Sequence, residues 1–373
     1  MRMKSLARCC FAPSFPRLCR DQRYEALLNK YYTTRAKEAT ERKIHPYKNV
    51  HPWKSVDQFS NELVCDVIYN KDGLIAINKP YGISGKNNTN INGNGADKKI
   101  IPHIPNAVDY TLSDAIPYIA KTLGYQSLKL IKSLERYTAG IILLAESEKV
   151  ENAVIKSFNR AQGFGIIPKT YWVVTTKLPR EVKGIYRLGL TLQQSPCRTF
   201  KQAVFEPVIG KNREKRGEVN IFKADFKLIS NSTLNLCSLI EIKASPAKWH
   251  SVRLFSSTIL YSPILGDQIY GSRVQNVMGT WVNIGPFNEV AQRPPVLSRD
   301  LLHLLELTPK MTPIVPAHVH LRRIELPWFY GKGKDLILEA RLRPEFLWTC
   351  KKLQFKHVEE IEKEFPEESI ITC

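Results

Sequence analysis

The sequence predicts an α+β domain with a mixed, mainly antiparallel sheet and flanking helices. Short runs rich in β-branched and apolar residues recur from residue 63 to residue 342, and only a few amphipathic helical segments interrupt them. Hydrophobic residues make up 43% of the 373-residue chain, enough for a sizeable core.

The elements follow in order. LVCDVIYN (63–70) and LIAINKP (74–80) read as two strands about a Lys71-Asp72-Gly73 turn, closed by Pro80 and Gly82. Residues 84–99, SGKNNTNINGNGADKK, hold too much Asn and Gly for a regular element and read as a mobile, insertion-like loop. Ser113–Leu123 has a helical pattern limited by Pro117. IILLAES (141–147) is apolar enough for a buried strand. In Glu148–Gln162, Val150, Val154 and Phe158 recur every fourth residue, the spacing of one helix face. KTYWVVTT (169–176), Val219–Ile229, Leu234–Ala244 and Leu336–Leu342 read as strands. Trp249–Ser262 reads as a helix with Val252, Phe255 and Ile259 on one side.

This organisation predicts one domain over residues 60–345, flanked by two segments of different character. Residues 1–45 open with Arg2, Lys4, Arg8, Arg17 and Arg20 and no acid before Asp21, with Leu6, Phe11 and Phe15 between them. That pattern fits a mitochondrial transit peptide and basic arm, hence a matrix protein, and lacks the unbroken apolar stretch of a secretory signal. A nucleic-acid-binding arm is the competing reading. Residues 346–373 hold Glu359, Glu360, Glu362, Glu364, Glu367 and Glu368 and read as an acidic helix and tail, solvated at the end of the chain.

Charge narrows the partner. The chain has 55 Lys and Arg against 35 Asp and Glu, a net +20, and residues 1–50 account for twelve and four of these. A basic excess therefore persists beyond the N-terminal segment and predicts a polyanionic partner such as RNA. With no apolar, uncharged stretch of ~18 residues, membrane insertion is not expected. The eight cysteines form no CxxC pair, which argues against a zinc site or a disulfide framework. His318 and His320 alternate as on a strand without a third ligand nearby, so structural hydrogen bonds are expected of them rather than a metal. Asn92-Gly93-Asn94-Gly95 is not followed by Lys-Ser/Thr and is no phosphate loop. The basic cluster Lys211, Arg213, Lys215 and Arg216 fits an RNA-backbone contact and a solvated loop equally.

Glu135-Arg136 lies just before the IILLA strand and ahead of Gly140. A carboxylate at the mouth of a strand, kept ionised by an adjacent guanidinium, suits nucleophilic or general-base work. A structural ion pair in a turn is the alternative.

Five motifs in order set the context: Asn78-Lys79-Pro80-Tyr81-Gly82, Leu134-Glu135-Arg136-Tyr137-Thr138-Ala139-Gly140, Lys169-Thr170-Tyr171, His250-Ser251-Val252-Arg253, and Pro263-Ile264-Leu265-Gly266-Asp267-Gln268-Ile269-Tyr270. This series, with His318-Val319-His320-Leu321 and Leu326-Pro327, resembles the RluA-type RNA pseudouridine synthases, above all their mitochondrial members, over most of residues 63–330. The resemblance implies the pseudouridine synthase catalytic fold and conversion of uridine to pseudouridine in mitochondrial rRNA, tRNA or mRNA. It implies no metal or organic cofactor, and no obligate protein partner is inferred.

By the same resemblance Glu135 stands where the family has its catalytic Asp, which acts on the ribose and base of a flipped uridine. Tyr171 would pack against that base, Arg253 would pair with the carboxylate, and Arg136 would assist at the substrate. Lys79 and Pro80 belong to an architectural motif, Gly266 and Asp267 to a turn that shapes the wall of the site. His250 shares a helix face with Arg253. Isomerisation breaks the N1–C1′ bond, rotates the uracil and rejoins it through C5, so the base must leave its stack for a pocket with an aromatic wall.

The chain departs from the family pattern in places. Ser133 replaces an Arg that helps fill the space of the flipped base, Glu135 adds a methylene, and Ser251 and Phe255 replace Gln and His. A displacement of about an ångström can cost on the order of 100-fold in rate. The second expectation is accordingly a catalytically silent RNA-binding protein serving mitochondrial RNA metabolism or ribosome assembly.

Overall fold

The computed structural model describes residues 44–86, 103–246 and 248–363. Residues 1–43 of the expected transit segment, most of the Asn/Gly-rich loop and the last ten residues of the acidic tail lie outside the described residues.

The strands are β1 (Val67–Lys71), β2 (Leu74–Lys79), β3 (Lys129–Lys132), β4 (Ala139–Ala145), β5 (Lys169–Thr175), β6 (Lys183–Gln194), β7 (Lys201–Glu206), β8 (Asn220–Asn231), β9 (Ser238–Ser245), β10 (Val274–Val277), β11 (Thr280–Asn283), β12 (Val319–Leu326) and β13 (Leu336–Glu339). Eleven form one sheet in the order β1-β2-β4-β12-β5-β9-β8-β6-β7, with β3 added to β4 and β13 to β12, while β10 and β11 make a separate hairpin. Only β4 and β12 run parallel among the described pairs. The helices are α1 (Val56–Cys65), α2 (Leu112–Leu123), α3 (Glu148–Gly163), α4 (Lys211–Lys215), α5 (Ser251–Thr258), α6 (Arg299–Leu304), α7 (Pro344–Lys352) and α8 (Val358–Lys363). The mixed, mainly antiparallel sheet with flanking helices is the architecture expected from the sequence.

The middle of the sheet, around β5 and β9, is buried on both faces. One face carries Tyr171, Val173, Phe222, Phe226, Ile240 and Ile242 against Leu254 and Phe255 of α5. The other carries Trp172, Val174 and Leu239 against apolar side chains of α6 and α7. Strand alternation explains the division, since neighbours in sequence face opposite sides.

Two expectations are corrected. Leu63-Val64-Cys65 does not begin the first strand but ends α1, whose Ser55 side chain caps the amide of Gln58. Phe59, Leu63 and Val64 lie on the buried side of that helix, and this tertiary packing overrides a strand-like composition. The fold also takes in Tyr47, which is fully buried. Nor is the chain beyond residue 345 a solvated end as far as Lys363. Phe346, Cys350, Leu353, Phe355 and Val358 are buried, while Glu359 and Glu360 face solvent. Arg343, just ahead of α7, bonds Glu62 at 2.6 Å and also Asp66, and Arg322 bonds Glu362. Counting glutamates alone hid the apolar face between them.

His318 and His320 are buried and hydrogen-bonded. Nε2 of His318 lies 2.8 Å from Thr349 Oγ1, and Nε2 of His320 lies 3.2 Å from Asn78 Oδ1. Burial lowers the His318 imidazole to about 4.

Two glycines position the site. At Gly140 (φ +112°) a Cβ would lie 2.3 Å from Leu321 O, so only glycine lets β4 and β12 close up. At Gly266 (φ +79°) a Cβ would lie 2.1 Å from Pro316 O. Gly266→Ala is therefore expected to lower unfolding free energy by at least about 1 kcal/mol, measured by denaturant titration.

Candidate active site

β12 is inserted between β4 and β5, and this brings the predicted residues together. Leu321 pairs with Gly140 on one side and Tyr171 on the other. Glu135 sits in the turn leading into β4. β9 pairs with β5 through Ile242 and Tyr171, then leads by a turn into α5, which carries Arg253. Glu135, Tyr171 and Arg253 thus line one cleft of about 440 Å³ including its open mouth, together with Lys132, Thr138 and Lys169.

The turn bearing Glu135 is tied down from below. Lys79 is fully buried, and its Nζ donates to the carbonyls of Pro80 (3.1 Å), Ile83 (3.0 Å) and Arg136 (3.4 Å). The Gly82 amide also donates to the Arg136 carbonyl at 2.9 Å. Burial, with the charges of Arg136 and Arg343, lowers the Lys79 ammonium to about 7. It ties the segment after β2 to the turn that bears Glu135.

Glu135 is held by His250. The main-chain N–H of His250 donates to Oε1 at 2.9 Å, and its ring Nδ1 lies 2.7 Å from Oε2. The carboxylate is about a quarter exposed (24%), so it meets the cleft while anchored. Burial pushes its carboxyl upward, but the charge and hydrogen bonds of His250 and the field of Arg253 outweigh this and hold it below the ordinary value. It is ionised at neutral pH. Trp249 (φ 50°) and His250 (φ 58°) are consecutive left-handed residues, a backbone that costs on the order of 1 kcal/mol per residue and turns the His250 amide toward the acid.

Here the structure corrects the pairing expected from the sequence. Arg253 does not bond Glu135. Its Nε and Nη2 donate to Asp267 Oδ2 (3.0 Å) and Oδ1 (2.6 Å), and both side chains are 1% exposed. Asp267 Oδ1 also accepts from the amides of Ile269 (2.9 Å) and Tyr270 (3.0 Å). Burial would raise the Asp267 carboxyl, and the Arg253 pair and those amides bring it below its usual range. Asp267 fixes the arginine that lines the cleft. Arg253 Nη1 remains buried without a hydrogen-bond partner, as does the Tyr171 hydroxyl. Both belong to side chains that line the cleft.

Arg136 does not line the cleft. Its Nε donates to Gly82 O at 2.9 Å and its guanidinium lies 5.7 Å from the Tyr137 ring centre. The same side chain that promised substrate contact secures the loop. Sequence reasoning assigned no role to Lys169 or Lys132, although Lys169 shares a strand face with Tyr171 two residues on. Burial, then the charge of Lys132, lowers the Lys169 ammonium to about 8. The basic cluster at 211–216 is partly neutralised: Arg213 bonds Glu206 at 2.7 Å and Arg216 bonds Glu218 at 3.0 Å. Among the described residues no group of His, Cys, Asp and Glu is arranged to hold a metal, and no helix is long and apolar enough to cross a membrane.

Comparison with known proteins gives this geometry a context. Residues 73–257 match the RNA pseudouridylate synthase family. The human mitochondrial mRNA pseudouridine synthase RPUSD3 is 25% identical over 298 residues, 79% of this chain and 78% of that protein. The mouse mitochondrial pseudouridylate synthase RPUSD4 is 24% identical over 297 residues, covering 77% and 68%. A Rickettsia conorii ribosomal large subunit pseudouridine synthase C is 28% identical over 213 residues, 56% of each chain. The solved structure of human RNA pseudouridylate synthase domain containing 4 shares the fold, with a TM-score of 0.58 over 81% of this chain and 97% of that one at 20% identity. Over residues 73–257 the chain carries an RNA pseudouridylate synthase domain.

Proposed function

We propose that the protein isomerises uridine to pseudouridine in RNA of the mitochondrial matrix (rRNA, tRNA or mRNA), with Glu135 as the catalytic carboxylate. The observation that carries this is the convergence of an ionised, anchored acid with a buried aromatic ring and a free guanidinium N–H in one cleft.

The atoms balance within the nucleotide. The N1–C1′ bond breaks, the uracil turns, a C5–C1′ bond forms, and C5 gives up the proton for which N1 is the acceptor. No external reactant enters. Tyr171 forms the wall against a turned-out base, Arg253 Nη1 and the Tyr171 hydroxyl offer it polar contacts, and Glu135 acts at the sugar and base. Lys169 and Lys132 stand where a nucleotide's phosphates would enter.

The silent RNA-binding alternative is not favoured, because a scaffold would gain nothing from an anchored, ionised acid directed at an aromatic pocket. The deciding measurement is release of tritium from C5-labelled uridine in mitochondrial transcripts. Release by wild type and its loss with Glu135→Ala supports the reading; no release by wild type defeats it.

A pH prediction follows for Lys169. Its cationic form, which attracts phosphate, is present below about 8 and lost as pH rises through that value. KM for RNA is therefore expected to climb above about pH 8 in the wild type, and Lys169→Arg, which stays charged, should remove that rise.

A further inference from the structure

The sheet presents a second charged surface, on the face opposite the cleft. Along β6, Lys183, Ile185 and Arg187 point outward and are exposed, while Leu188 beyond them is buried. On β8 Lys223 and Lys227 are exposed between buried Phe222, Ala224 and Phe226, and on β9 Lys243 is exposed between Ile242 and Ala244. Strand alternation therefore places all five cations on one side, away from Tyr171 and Ile242.

The register makes this arrangement unfavourable in the isolated protein. Lys183 stands directly opposite Lys227, and Arg187 directly opposite Lys223. Like charges facing each other across adjacent strands, with side chains about 5 Å apart, destabilise a sheet. Relief is partial: Lys227 reaches Glu241 at 3.1 Å and Arg187 reaches Glu214 at 3.0 Å. Lys183, Lys223 and Lys243 have no ion-pair partner among the described residues, although Lys243 stands opposite Asp225. The two opposed pairs lie four residues apart along β6, about 13 Å. Repeated cation pairs along an extended, exposed stretch of sheet match the spaced negative charges of a nucleic-acid backbone, and β9 ends five residues before His250.

We infer that this outer face of β6, β8 and β9 is a second RNA-docking surface, which holds phosphates of the substrate strand distant from the target uridine. The inference rests on the proposed function. It assigns the like-charge pairs to a bound state in which phosphates separate them.

The test uses the full chain and two RNAs: a long single-stranded mitochondrial transcript and a short uridine-containing oligonucleotide. Lys183, Lys223 and Lys243 are changed together to Gln, none of them lining the cleft. Three lost phosphate contacts should reduce the slope of log K against log salt for the long RNA by about 2, at roughly 0.7 per contact. KM for the long RNA should rise while kcat, and KM for the short oligonucleotide, stay at wild-type values. Lys183→Glu, which places an acid opposite Lys227, should melt no lower than the wild type, so lost binding in that variant is not lost fold. A triple variant with the wild-type salt slope would overturn this surface alone. A wild type that binds neither RNA would overturn the functional reading and this surface with it.

Discussion

Glu135→Gln is expected to cut pseudouridine formation by about a thousandfold or more, the scale set by removing a group that moves protons or stabilises charge at the reacting atoms. The amide matches the acid in size and can still accept a hydrogen bond from the His250 amide, so the cleft should keep its shape. What disappears is the negative charge. Glu135→Asp keeps that charge but draws it back by one methylene from His250, which now holds both oxygens at 2.9 and 2.7 Å. Activity that survives in Asp and vanishes in Gln would place the effect in the charge rather than in the reach. Equal activity of wild type and Gln, followed by C5 tritium release, would remove Glu135 from the reaction.

The largest stability effect is expected at Arg253. Arg253→Met leaves Asp267 buried without its counter-charge, a loss of about 3–5 kcal/mol. The pH dependence has a definite sign. In the wild type the Asp267 carboxyl is depressed, so its contribution is full above the unfolded value and lost as pH falls through the lower folded value. In the variant burial acts on that carboxyl with the arginine gone and raises it. The stability gap should then be widest near neutral pH and narrow toward acid as Asp267 takes up a proton. Arg253→Met combined with Asp267→Leu should recover most of the stability and none of the activity. Urea titrations at neutral and acid pH, with the tritium assay alongside, measure both. A single variant as stable as wild type at neutral pH would contradict the pairing.

Much of the site was legible because its residues sit in short local motifs. Glu135 precedes a buried strand, Tyr171 lies within one, and the Pro263–Tyr270 turn stands almost intact. What the sequence could not reveal was which charge meets which. Arg253 and Asp267 are fourteen residues apart along a path that includes α5 and a turn, and their pairing depends on the left-handed step at Gly266. The exchange of His250 for Arg253 as holder of the acid rests on two non-glycine residues in positive φ, a conformation without a composition signal at Trp249-His250. Arg136 misled for a related reason. Adjacency to Glu135 in sequence says nothing about where a long side chain goes, and a carbonyl at Gly82 was the nearer acceptor. In the fold, α1 was missed because three apolar residues at a helix end look like the start of a strand, and β6 and β7 were missed because their polar, exposed residues break up the apolar runs that marked the other strands.

The insertion of β12 between β4 and β5 also sets a schedule. Every residue assigned to the reaction lies before position 270, yet the strand that spaces the acid from the aromatic ring runs from 319 to 326. A nascent chain emerging from the ribosome therefore carries all these side chains well before β12 can bring them together. The acid and the aromatic ring reach their final separation only once residues 319–326 have paired with β4 and β5.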